Sequence, residues 1–166
     1  MVYKFRVEMT YDKKLNYIRH LNDLDKIWKI KIFNDGEETV RGLQIKLSFV
    51  PDFAESWIGH IDEIKAGERA DINEPNLVIN PEKLLSYNEK LEGNIIVELM
   101  PADGQSEAVY KEAFPLTVLP YDQWLSNDHP ELLAAFVTPN DRRVLEILAK
   151  AGKRLGVQEG IAFSGY

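Results

Sequence analysis

Leu43-Gln44-Ile45-Lys46-Leu47-Ser48-Phe49 alternates apolar with polar residues without a fault, so Leu43, Ile45, Leu47 and Phe49 share one side. A period of two belongs to a strand with one face buried, because successive side chains of an extended backbone point to opposite faces. The preceding run, Lys26-Ile27-Trp28-Lys29-Ile30-Lys31-Ile32-Phe33, has the same period, with Trp28, Ile30 and Ile32 on one parity and Lys29 and Lys31 on the other. Asn34-Asp35-Gly36 then supplies turn chemistry. The two runs are expected to form an antiparallel pair joined by a loop around residues 34–41, with Trp28 in the core.

Working outward, strands are expected at 2–9, 57–64, 69–79, 91–100 and 107–119. Ile95, Val97 and Leu99 alternate in one of these, and Phe114, Leu116 and Val118 in another. Ala66-Gly67-Glu68, Glu92-Gly93 and Ala102-Asp103-Gly104 punctuate them. About seven short strands at this spacing predict a mainly β fold, an immunoglobulin-like antiparallel β-sandwich. One short helix is expected at Asn80-Pro81-Glu82-Lys83-Leu84-Leu85, where a capping Asn precedes Pro at the first helical position.

The pattern changes after Pro120. Asp128 opens a run of helix formers that Thr138-Pro139 stops, and Val144, Leu145, Leu148, Ala151 and Leu155 recur at helical spacing before Gly156. The chain is therefore divided into a β-sandwich domain, 1–120, and a C-terminal two-helix extension, 121–166.

Composition narrows the function classes. The 166 residues contain no cysteine, which removes disulfides, thiol nucleophiles and thiolate metal sites and fits a reducing compartment. The N-terminus alternates apolar and charged residues where a signal peptide would run unbroken, and charges interrupt every hydrophobic run before it reaches membrane-spanning length. A soluble, cytoplasmic protein is expected. Residues 1–138 hold 15 Lys and Arg against 24 Asp and Glu, a net −9, whereas 139–155 carry +3. An acidic body repels phosphate backbones, so the sandwich is not expected to bind nucleic acid directly.

No catalytic, cofactor-binding or metal site is expected. His20, His60 and His129 lie in separate segments without metal-ligand spacing. His60 and Asp62 would share a strand face, an arrangement able to move a proton, although an exposed pair of structural origin is the plainer reading. The acidic groups Glu37-Glu38, Asp62-Glu63 and Asn22-Asp23-Leu24-Asp25 do not follow a calcium-loop pattern, and no phosphate-cradling Gly-rich loop occurs. The candidate interaction residues are Tyr121 and Trp124, an aromatic group at the domain boundary, with Arg142, Arg143 and Lys150 on the basic helix.

Phe114-Pro115-Leu116-Thr117-Val118-Leu119-Pro120-Tyr121-Asp122-Gln123-Trp124, together with Pro130 through Asn140, Val50-Pro51-Asp52-Phe53-Ala54 and Ser164-Gly165-Tyr166, resembles the N-terminal region of very large bacterial proteins built around a superfamily-one helicase, often with a nuclease-like domain. The resemblance covers nearly the whole chain and implies an immunoglobulin-like region ahead of the helicase core. Some members look like anti-phage defence factors. No ATP-binding or nuclease motif of that family can be placed on this sequence. The expected role is a non-catalytic accessory or protein-interaction domain of a longer protein, its partner either other domains of that protein or a separate chain, with edge strands that leave room for a dimer. The alternatives are part of a hydrolase or transferase site completed by a neighbouring domain, and a carbohydrate-type ligand-binding sandwich.

Overall fold

The computed structural model describes residues 3–22, 27–102 and 107–123. The elements run in the order β1 (Phe5–Tyr11), β2 (Lys14–Leu15), α1 (Tyr17–Leu21), β3 (Ile27–Asn34), β4 (Val40–Val50), β5 (Trp57–Ile64), β6 (Arg69–Asn73), α2 (Pro81–Ser86), β7 (Leu91–Pro101) and β8 (Tyr110–Val118). Contacts divide the chain into Met1–Gln123 and Trp124–Tyr166, and the second unit, with both helices expected there, lies outside the described residues.

Two sheets form: β1-β3-β6, and β2-β8-β7-β4-β5. Among the described residues every ladder is antiparallel except β2 with β8, where Lys14 and Leu15 run parallel to Thr117 and Val118. The first strand thus begins in one sheet and its continuation crosses to the other. Ile30, Ile32 and Val7 from the three-stranded sheet meet Ile45, Leu47, Val97 and Leu99 from the five-stranded sheet in one buried cluster. Burying a side chain of this size contributes about 1.5–3 kcal/mol, so this shared layer is what holds the sheets together as a sandwich.

The expected pairing of residues 26–33 with 43–49 does not occur. β3 pairs with β1 and β6, while β4 pairs with β5 and β7. Asn34 explains the divergence. It is 1% exposed, and its amide donates to the carbonyls of Glu38 (2.8 Å) and Ile64 (3.0 Å) while its Oδ1 accepts from Gly36 N–H. A buried amide satisfied in this way carries the chain across the end of the sandwich instead of turning it back as a hairpin.

Trp28 is not in the core either; it is 44% exposed. Thr10 pairs with Lys29 but Tyr11 pairs with Ile27, so Trp28 is the extra residue of a bulge. A bulge shifts side-chain parity, turning Ile27 inward and Trp28 outward. A related change occurs at Gly42, whose φ is 62°: Val40 is buried on one side of it, and Leu43, Ile45 and Leu47 on the other.

The remaining strands fall close to their expected places, with two differences. The strand expected over 69–79 stops at Asn73, because Glu74 takes a φ of 41° and Pro75 follows, leaving a single bridge between Ala54 and Ile79. The second difference is an addition. β2 and α1 have no counterpart among the expected elements. Asn16 caps α1 through Arg19 N–H (3.0 Å) and also donates to the carbonyls of Pro120 (3.2 Å) and Gln123 (2.9 Å). α2 forms as expected, with Asn80 as its cap and Pro81 at its start.

Candidate interaction face

The two outward faces of the sandwich differ in chemistry. On the three-stranded sheet, Arg6, Phe33 and Arg69 lie in one cross-strand row and Glu8, Lys31 and Asp71 in the next. The Arg6 guanidinium stacks 3.9 Å from the Phe33 ring centre and bonds Glu8 (2.6 Å) and Asp35 (3.2 Å). Lys29 pairs with Asp71 at 2.7 Å, and Arg69 meets the same carboxylate at 3.2 Å. The hydrogen bond from Lys29 is the main reason the Asp71 carboxyl lies below the ordinary carboxylate range. These charges compensate one another locally and make a hydrated surface.

The five-stranded sheet presents something else. Its cross-strand rows bring Val50 beside Asn94 and Pro115, Ser48 beside Ile96 and Ala113, Lys46 beside Ile58 and Glu98, and Gln44 beside His60 and Met100. Val50 is 50% and Ile58 52% exposed, Ala113 and Pro115 are exposed, and Ile96 and Met100 are half-buried. Lys111 bonds Glu98 at 2.8 Å across this face. Apolar groups drawn from four strands thus share this surface with one charged row, Lys46, Glu98 and Lys111. Val50, Ile96, Ala113 and Pro115 fall in two adjacent rows, and grouped apolar exposure marks contact sites more often than isolated exposed residues do.

The side of the sandwich between β1 and β8 is closed by aromatics. Tyr11 packs edge-on against Phe114 with ring centres 6.3 Å apart, and its hydroxyl donates to the Pro115 carbonyl at 2.7 Å. Tyr110 bonds Glu112 and reaches the backbone of Val7; burial first, and then Glu112, push its hydroxyl up to about 12. At one end, a cavity of about 240 Å³ is lined by Tyr3, Lys4, Asn34, Glu37 and Glu38. Small-molecule pockets usually enclose about 300–1,000 Å³, and the Asn34 amide is already committed to the fold.

The residues singled out in the sequence are scattered. His60 and Asp62 both lie exposed on β5, and among the described residues no hydrogen bond or ion pair joins them. Glu63 pairs with Arg41 (2.6 Å), while Glu37 and Glu38 are exposed in the β3–β4 loop. Among the described residues no three His, Asp or Glu side chains gather as metal ligands would. Tyr121 is 39% exposed, and its N–H donates to the Tyr87 carbonyl at 2.9 Å. Trp124, His129, Arg142, Arg143 and Lys150 lie outside the described residues, as do Asp23 and Asp25. Trp57 covers Gly59 on β5. The exposed β4–β5–β7–β8 surface was not evident in the sequence, since its members are separated along the chain; the outward apolar positions Ile58 and Ile96 inside alternating strands were the available signal.

No family model matches this sequence, and no curated protein matches it. Among solved structures, the chain is similar to the YadV chaperone at 15% identity, with a TM-score of 0.37, over 78% of this chain and 58% of that one. It is also similar, at 14% identity and a TM-score of 0.33, to a chain of the CsuC–CsuE chaperone–tip adhesion subunit pre-assembly complex from the archaic chaperone-usher Csu pili of Acinetobacter baumannii, over 85% of this chain and 68% of that one. The chain spans 58% of the YadV chaperone's length. At these scores the likenesses leave its role to its own surface chemistry.

Proposed function

We propose that this chain is a non-catalytic protein-interaction domain with immunoglobulin-like strand order, an accessory part of a larger helicase-linked bacterial protein of the cytoplasm. The strand order supports the fold assignment: β1-β3-β6 corresponds to strands A, B and E, and β8-β7-β4-β5 to G, F, C and C′, with β2 as the portion of the first strand that joins the last. The observation that carries the interaction role is the contrast between the faces. Ion pairs compensate the three-stranded sheet's charges and leave Trp28 as its one large exposed apolar side chain among the described residues, whereas Val50, Ile58, Ile96 and Pro115 open apolar area on the five-stranded one. The sequence resemblance is the basis for the helicase-linked setting. In that setting the basic segment with Arg142, Arg143 and Lys150 and the aromatic pair Tyr121 and Trp124 join the domain to its neighbours.

The purified chain is expected to show no ATP hydrolysis or nuclease activity above a buffer blank, and turnover that co-purifies with the folded protein would refute the reading. The hydrolase alternative uses His60 and Asp62. His60→Ala is expected to leave any activity of the longer protein unchanged, and a loss of more than about tenfold would favour that alternative.

A further inference from the structure

β5 ends the five-stranded sheet, and among the described residues nothing pairs with its outer edge. An unpaired edge offers a row of backbone N–H and C=O groups to any strand of matching chemistry. The other edges are defended. β2 is two residues long, β8 carries Pro115 and is partly covered by β2, and β6 spans only Arg69–Asn73 with Arg69 and Asp71 in ion pairs. β1 is approached at the Val7 backbone by the Tyr110 hydroxyl. β5, by contrast, runs eight residues without lysine or proline.

The charges on that edge select its partner. On the outer side β5 reads Ile58, His60, Asp62. In an antiparallel pairing with an identical strand, centred so that Ile61 lies opposite its own copy, His60 of each chain faces Asp62 of the other. Directly opposed residues sit about 4.5–5.5 Å apart at Cβ, near enough for an imidazole N–H to donate to a carboxylate. Centring on His60 would instead oppose His60 to itself and Asp62 to Ile58. The edge is therefore complementary to itself in the register centred on Ile61, which makes two symmetric His60–Asp62 contacts, one for each group of each chain.

We infer that a second copy of this chain pairs along β5 in that register, extending the two five-stranded sheets into one and using two symmetric His60–Asp62 contacts to fix the alignment. The inference concerns the edge and stands independently of the partner assigned to the apolar face. An eight-residue edge buries less than the about 1,600 Å² of a standard interface, so a weak dimer is expected, with dissociation at about 100 µM.

Sedimentation velocity on the whole chain, from about 10 µM to about 1 mM, reads this directly. The expected result is a concentration-dependent shift from monomer to dimer. His60→Asp opposes two pairs of carboxylates and is expected to weaken the dimer about tenfold, Asp62→His removes both carboxylates and weakens it as well, and the double exchange H60D/D62H restores it. Both positions are exposed, so folding, checked by circular dichroism, is retained. A chain that stays monomeric throughout, single variants that dimerise like the parent, or a double exchange that fails to recover association would each overturn the inference.

Discussion

Gly93→Ala puts the packing of the five-stranded sheet to a quantitative test. Gly93 sits in β7 where β4 ends, and a Cβ there would lie far inside contact distance of the Val50 carbonyl oxygen, 2.9 Å from Pro51 Cδ and 3.0 Å from the Val50 carbonyl carbon. Ordinary contacts begin at 3.4 Å, and most of these atoms are backbone, so the side chain cannot be accommodated by a rotamer change. β7 and β4 must separate where Val50 pairs with Asn94, which breaks ladder hydrogen bonds and opens the layer beneath. Overpacking with backbone displacement costs about 3 kcal/mol. At roughly 2.1 cal/mol/K per residue over Met1–Gln123, this lowers the melting temperature by about 12 °C. Gly67→Ala is the control. With φ at 73° and nothing within 4 Å of a new Cβ, it is expected to cost only about 1 kcal/mol of backbone strain. Thermal and urea unfolding of both variants decide the matter: a Gly93→Ala loss no greater than that of Gly67→Ala would refute the packing described for this sheet.

Trp28→Ala is expected to cost less than about 1.5 kcal/mol and Ile30→Ala about 3 kcal/mol, measured by urea unfolding; the reverse order would contradict the bulge. Asn16→Ala removes the α1 cap and both bonds to the segment after β8, an expected loss of about 2–3 kcal/mol with faster proteolysis near residues 120–123. Tyr110 is held neutral in the fold by burial and Glu112, so its contribution is fully present below the unfolded tyrosine value of about 10 and is lost as pH rises toward 12. Tyr110→Phe should therefore flatten the alkaline stability profile and remove a late step of the tyrosinate absorbance titration.

The sequence shows much of the strand layout but little of how the strands are arranged. Expected strands at 57–64 and 91–100 agree with β5 and β7 to within a residue, because alternation is a local property of the backbone. Sheet membership depends on distant partners. The turn at Asn34 reads as a hairpin until its amide is seen bonding Ile64, thirty positions away. Trp28 follows the alternation of Ile30 and Ile32, yet the count of residues on β1 turns it outward. β2 and α1 are too short, at two and five residues, to show a period. The apolar face was hidden for a similar reason: Gln44, Lys46 and Ser48 mark the outer side of β4 as hydrated, and only strand order places Ile58, Ile96 and Pro115 beside them.

The proposed role requires that the five-stranded sheet's outward face contact a protein partner while the ion-paired face stays in water. Photo-crosslinking tests it most directly, with a photoreactive residue placed singly at Ile96 or at Lys31 in the chain expressed in bacterial cells. The expected result is a discrete protein adduct from position 96 that Ile58→Asp abolishes, and none from position 31. Adducts from position 31 alone, or equal labelling from both, would contradict it.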